Sequence, residues 1–209
     1  MLAATVGGVV LLAFDTSTPA VTVALDGGPA WFEVAPNRHG ELLAPGIERV
    51  LALAGVRPSD LTGVVVGLGP GPFTGLRVGI VTARALAHSL GIPAYGACSL
   101  DALGSPGVAV ATDARRREVY WAGYGAERDG PHVDKPNDAA ERLRRNGFTA
   151  VAGAGARLYP EAFAGFDVVD PEYPDAQRLL AAPRTTDLTP LYLRRPDATP
   201  PGPRKKVTA

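Results

Sequence analysis

The sequence predicts an α/β protein of two lobes, each a mixed sheet flanked by helices. Three observations carry this. Short apolar runs open the chain at close spacing: "VVLLAF" (9–14), "AVTVAL" (20–25) and "AWFEV" (30–34). Two helical patterns then alternate with a buried strand pattern. A second block of strands followed by a helix starts after Ser105-Pro106. The predicted division is a first lobe over 1–105, a smaller second lobe over 106–195 and a basic, proline-rich tail over 196–209.

Residues 1–8 read as a ragged extension. They carry no basic n-region, and the apolar run that follows is short and ends at Asp15, so it reads as a first strand and not a signal sequence. Asp15-Thr16-Ser17-Thr18-Pro19 forms the turn to the second strand, and three strands this close together predict an antiparallel meander. In "HGELLAPGIERVLALAG" (39–55), Leu43, Ile47, Val50, Leu51 and Ala54 recur at helical spacing. Pro45 lies near the start of that helix, where a missing N–H costs least, and Gly55 stops it. "GVVVGL" (63–68) is a buried strand. A second long helix runs from Thr74 to Leu90 and is ended by Gly91 and Pro93. "GVAVATD" (107–113) and "EVYWAGY" (118–124) pair through the turn Ala114-Arg115-Arg116-Arg117. Asn137 is predicted to cap a helix reaching Arg145, "TAVAGAG" (149–155) is a strand and loop, and "PDAQRLLAA" (174–182) is a short helix. The tail "RRPDATPPGPRKKVTA" (194–209) is predicted to be disordered.

Composition narrows the function. Lys plus Arg and Asp plus Glu number 21 each, so bulk charge alone does not hold nucleic acid. No run approaches the ~20 apolar residues of a membrane span, and the expected location is the cytoplasm. The single Cys98 excludes an internal disulfide and a multi-cysteine zinc site, and fits a reducing compartment. His39, His88 and His132 are far apart in sequence, so no metal site is expected.

"GLGPGPFTGLR" (67–77), between a strand and a helix, has the look of a phosphate loop. It lacks the Walker lysine, and Thr74 stands where a dinucleotide loop needs its third glycine. Pro70 and Pro72 also remove two backbone donors from the stretch that would cradle an anion. The helix it starts is more informative. Gly75, Gly79, Ala83 and Ala87 lie four apart, a smooth stripe with Leu76 and Ile80 beside it. Only a thin polar strip remains, which predicts burial on two sides: against its own sheet and against a partner.

Three segments together resemble the TsaB (YeaZ) family: "LLAFDTSTPAVTVAL" (11–25), "GLGPGPFTGLRVGIVTARALA" (67–87) and "DARRREVYWAGY" (113–124). "RHGELLAPGIERVL" (38–51) and "PLYLRR" (190–195) extend the likeness, with Pro72 where the family commonly has Ser. The resemblance implies an actin-like, Hsp70-like (ASKHA, ribonuclease-H-like) fold and no catalytic residues of its own. It implies homodimers, or heterodimers with the catalytic paralogue TsaD, joined by the ATPase TsaE. The complex transfers threonylcarbamoyl from its adenylate to an adenosine beside the tRNA anticodon. This subunit would meet tRNA only through the complex, and ATP or ADP only in the assembled state. The interface falls on the two long helices, here Leu43, Ile47, Val50 and Leu51 with Gly75, Leu76, Gly79, Ile80, Ala83 and Ala87.

A second class stays open, a stand-alone ATP-binding kinase or phosphatase of the same fold. Its inter-lobe site would use Asp15, Thr16 and Asp113, with Gly153 and Gly155 as a worn adenosine loop. The competing expectation is that Asp15 and Asp113 hydrogen-bond their own turns. The basic residues Arg115-Arg116-Arg117 and Arg194, Arg195, Arg204, Lys205 and Lys206 read first as a turn and a solvated tail, and second as RNA or partner contacts.

Overall fold

The structure, a computed structural model, describes residues 8–194. Residues 1–7 of the expected extension, and the expected disordered tail 196–209, lie outside the described residues.

The first sheet contains β1 (Leu11–Asp15), β2 (Ala20–Leu25), β3 (Ala30–Val34), β4 (Gly63–Gly67) and β5 (Ala94–Ala97), in the order β3-β2-β1-β4-β5. The predicted meander is present: β1–β2 and β2–β3 are antiparallel. β1–β4 and β4–β5 are parallel, so their connections cross over through helices α1 (His39–Ala54) and α2 (Phe73–Leu90). β1 and β4 are buried on both faces, which is why they read as continuous apolar runs without alternation. Leu12, Phe14, Val64 and Val66 meet the core under α1 and α2. Leu11, Ala13 and Val65 face the other way, onto α5 (Ala176–Ala181).

The second sheet contains β6 (Val108–Asp113), β7 (Val119–Tyr124), β8 (Arg128–Asp134), β9 (Ala150–Ala152) and β10 (Asp167–Val169), with α3 (Pro136–Arg145) and α4 (Ala154–Leu158). Its order is β10-β9-β6-β7-β8. Read from the β8 edge, this repeats the first sheet: a three-stranded antiparallel meander whose first strand then pairs in parallel with the fourth, and the fourth with the fifth. The two lobes share one topology although their sequences show no convincing repeat.

Four local differences have physical causes. β8, "RDGPHVD", is charged and contains Gly130 and Pro131, so it gives no strand signal; as an edge strand it tolerates a residue that cannot donate to a ladder. β5, "AYGA", is short and poor in β-branched residues. Asn137 is not the cap of α3: Lys135 holds that position and Pro136 occupies the first turn, where its missing N–H is harmless. The end of the chain returns to the first lobe. Leu179 and Leu180 of α5 pack under β1, Thr185 bridges Gly96, Leu188 enters the first core and Tyr192 stacks on Phe73. The last described residues therefore brace the first sheet and its helices.

Candidate functional site

The glycine loop and α2 are built around the turn after β1. Asp15 is buried, and its Oδ1 accepts hydrogen bonds from the Ser17 N–H at 2.7 Å and the Ser17 hydroxyl at 2.6 Å. Its Oδ2 accepts from the Ser99 hydroxyl, which in turn accepts from the Gly69 N–H at 3.0 Å. Ser99 N–H donates to the Gly69 carbonyl at 2.8 Å, so the loop is clasped from both sides. Thr16 Oγ1 donates to the Gly75 carbonyl at 2.8 Å in the first turn of α2. His39, at the start of α1, donates from Nε2 to the Thr18 carbonyl at 2.6 Å.

The glycines permit this approach. A Cβ on Gly71 would overlap the Ser17 carbonyl, one on Gly75 the Thr16 carbonyl, and one on Gly79 the Thr16 hydroxyl. A Cβ on Gly67 would overlap the Asp15 carboxylate. The loop that looks like a phosphate cradle thus grips a turn of its own chain. Burial pushes the Asp15 carboxyl above its usual value, an effect opposed by the bonds from Ser17 and Ser99 and by the nearby His39.

The residues expected on the partner face also have neighbours within the chain itself. Leu43, Ile47, Val50, Leu51, Gly75, Leu76, Gly79, Ile80, Ala83 and Ala87 are all buried within the chain itself. Leu43, Ile47, Val50, Leu51, Leu76, Ile80 and Ala83 belong to the first core. Gly75 and Gly79 face Thr16. The stripe is smooth at Gly75 and Gly79 because the β1–β2 turn lies against them, while Ala83 packs in the first core. What the helices present outward is different. On α2, Val81 and Ala85 share one exposed strip by helical spacing with Arg77, Arg84 and His88, and Val81 is 61% exposed. On α1, Ala44, Pro45 and Ala52 are exposed, as is Leu53 at 66%.

Between the lobes lies a cavity of 340 Å³ lined by Ser17 and Thr18 from one side and by Thr112, Asp113, Arg115 and Arg157 from the other. Asp113 faces it, with its Oδ1 accepting the Arg115 N–H at 2.8 Å. Asp15 and Thr16 do not line it, since both are held in the buried turn. Each carboxylate bonds its own turn. Gly153 and Gly155 abut the Ala111 backbone of β6, where a Cβ on either would overlap it, so close packing accounts for both glycines. Among the described residues, no three His, Cys, Asp or Glu side chains converge on a point where a metal would sit, and no helix is long and apolar enough to cross a membrane. Cys98 is buried, its thiol pushed up to about 11 chiefly by that burial, and Arg128 donates to its Sγ at 2.9 Å. Such a thiol is a poor nucleophile.

Sequence reasoning missed Ser99, the residue that ties Asp15 to the glycine loop. It stands 84 positions from Asp15 and its local sequence gives no sign of the contact.

Two lobes of one topology, a buried β1–β2 turn and a cleft between the lobes define an actin-like (ASKHA) protein. A family model described as TsaD: tRNA N6-adenosine threonylcarbamoyltransferase matches residues 31–153. The Escherichia coli "tRNA threonylcarbamoyladenosine biosynthesis protein TsaB" is 34% identical over 170 residues, covering 72% of this chain and 74% of that protein. A Mycobacterium tuberculosis protein, described only as uncharacterized, is 44% identical over 205 residues, covering 91% of this chain and 94% of its own. The solved structure "YeaZ from Pseudomonas aeruginosa" superimposes with a TM-score of 0.73 at 29% identity, covering 88% of this chain and 100% of that one. The chain belongs to the TsaB (YeaZ) family.

Proposed function

We propose that this protein is a non-catalytic subunit in tRNA threonylcarbamoyladenosine biosynthesis, one that dimerises with and activates TsaD. The TsaB relatives and the TsaD-family match support the process. The observation that carries the subunit role is the outward surface of α1 and α2, with Val81 and Leu53 exposed on two helices that rest on a rigid core. Exposed apolar residues on ordered helices are the raw material of an interface. A catalytic role for the chain is poorly served, because Asp15 is enclosed by hydroxyl and amide donors and does not line the inter-lobe cavity. The same outer faces serve a homodimer when TsaD is absent. TsaE joins the assembled complex, tRNA is engaged in that complex, and ATP or ADP enters only there.

The test is Val81→Glu, which places a charge on the exposed strip. The variant folds as the parent does, because surface changes of this kind move stability by less than about 0.5 kcal/mol. Light scattering is expected to give a monomer, and TsaD is expected to elute separately. A tight dimer and undiminished co-elution with TsaD would move the interface off α2.

A further inference from the structure

We propose that the β6–β7 tip, Arg115-Arg116-Arg117, contacts the phosphate backbone of tRNA directly. The inference rests on the reading of the chain as part of a tRNA-modifying complex, and adds a contact that reading does not contain.

Three consecutive non-glycine residues at the tip have left-handed backbones, with φ of 62°, 52° and 59°. Each such residue brings its Cβ against the following carbonyl, a strain that glycine escapes. A hairpin that needs this shape is most easily made with Gly or Asn, yet all three positions are Arg. The surroundings hold the strained shape in place. Asp113 Oδ1 accepts the Arg115 N–H at 2.8 Å, the Ala114 N–H donates to the Glu118 carbonyl at 3.0 Å, and the Glu118 N–H donates to the Arg115 carbonyl at 3.0 Å. From the far end of the chain, Arg194 donates to the Ala114 carbonyl at 3.0 Å and pairs with the Glu118 carboxylate. A strained turn fixed by this many partners points to a use for the side chains it displays.

The three arginines are exposed. Arg115 shares the rim of the inter-lobe cavity with Arg157. Arg115 turns back to Asp113, its Nε 3.7 Å from Oδ2 at the cavity rim, while the side chains of Arg116 and Arg117 are exposed further along the tip. Three consecutive exposed arginines concentrate positive charge and fork-shaped donors where the spaced phosphates of a polymer can meet them. In a chain of zero net charge, this is a local feature and not a consequence of bulk charge.

The experiment uses the full chain assembled with TsaD and TsaE, and an unmodified tRNA transcript carrying the target adenosine. The triple variant Arg115→Gly, Arg116→Gly, Arg117→Gly relieves the backbone, so its Tm is expected to be no lower than that of the parent. Its tRNA affinity is expected to fall at least about tenfold, and the slope of log K against log salt to shrink by about one for each lost phosphate contact. Arg→Lys at the same three positions keeps charge but loses the forks, and is expected to recover affinity in part. Unchanged affinity and salt slope in the glycine variant would overturn the proposal. Loss of TsaD or TsaE co-elution with tRNA affinity intact would also overturn it, and make the tip a protein contact. A parent complex that neither binds nor modifies tRNA would sink the functional reading itself, a result that needs no variant to see.

Discussion

Asp15 shows how little a residue's type says about its work. Its position after the first strand is where a nucleotide-binding acid would stand, and the sequence alone leaves both uses open. The structure gives it three donors inside the chain, from the Ser17 N–H, the Ser17 hydroxyl and the Ser99 hydroxyl. Burial still dominates and raises its carboxyl above the ordinary range. The consequence for stability has a definite sign. Between the unfolded value of about 3.9 and the higher folded value, the native state holds a proton that the unfolded chain has released. Stability from this group is complete below that window and declines as pH rises through it. Asp15→Asn keeps the shape and removes the titration. Denaturant melts from pH 4 to 7 are expected to show the parent losing stability, relative to the variant, as pH rises. The opposite trend would mean that the donors outweigh burial and that the carboxylate is held ionised.

At the scale of elements, the informative object is α2 seated on the β1–β2 turn. Its period and length were legible in sequence, and so was the unusual smoothness of Gly75, Gly79, Ala83 and Ala87. The partner of that stripe was not legible, because small residues signal close approach without naming what approaches. Here the neighbour of Gly75 is the Thr16 carbonyl and that of Gly79 the Thr16 hydroxyl. The difference is measurable. Gly79→Ala overlaps a side-chain oxygen that can rotate, and part of the cost is offset by better helix propensity, leaving about 1 kcal/mol of destabilisation. Gly75→Ala overlaps backbone that cannot rotate away and is expected to cost about 3 kcal/mol. Equal costs in chemical denaturation would argue against the tight seat. β8 marks the opposite limit of sequence reading. "RDGPHVD" becomes a strand only because β7 offers it an edge, and Trp121 Nε1 donates to Asp134 across that pair at 2.8 Å. Tertiary pairing overrides propensity there.

The whole molecule is two copies of one topology joined at a firm seam. Tyr124 of the second lobe donates to Asp101 of the first at 2.7 Å, Arg128 pairs with the same carboxylate, and Leu100 and Leu103 pack against Val110 and Ala122. The returning chain adds α5 beneath the first sheet and Tyr192 on Phe73. The class of fold was legible because strand and helix patterns alternate in the first half. The shared topology was legible only as two similar strand-and-helix blocks, since β5, β8 and β10 are short or polar and give weak signals. The packing of α5 under the first sheet was not legible, because a helix pattern cannot say which sheet it will cover. These contacts brace α1 and α2, so that exposed Leu53 and Val81 are carried on ordered helices.

The most direct measurement of the central claim is reconstitution with TsaD, TsaE, ATP and an unmodified tRNA, following threonylcarbamoylation with the chain present, absent or carrying Val81→Glu. The account predicts modification only with the parent chain, loss with the variant, and no binding of ATP and Mg²⁺ at micromolar concentration by the chain alone. Modification that proceeds equally without the chain, or micromolar ATP binding by the isolated protein, would contradict it.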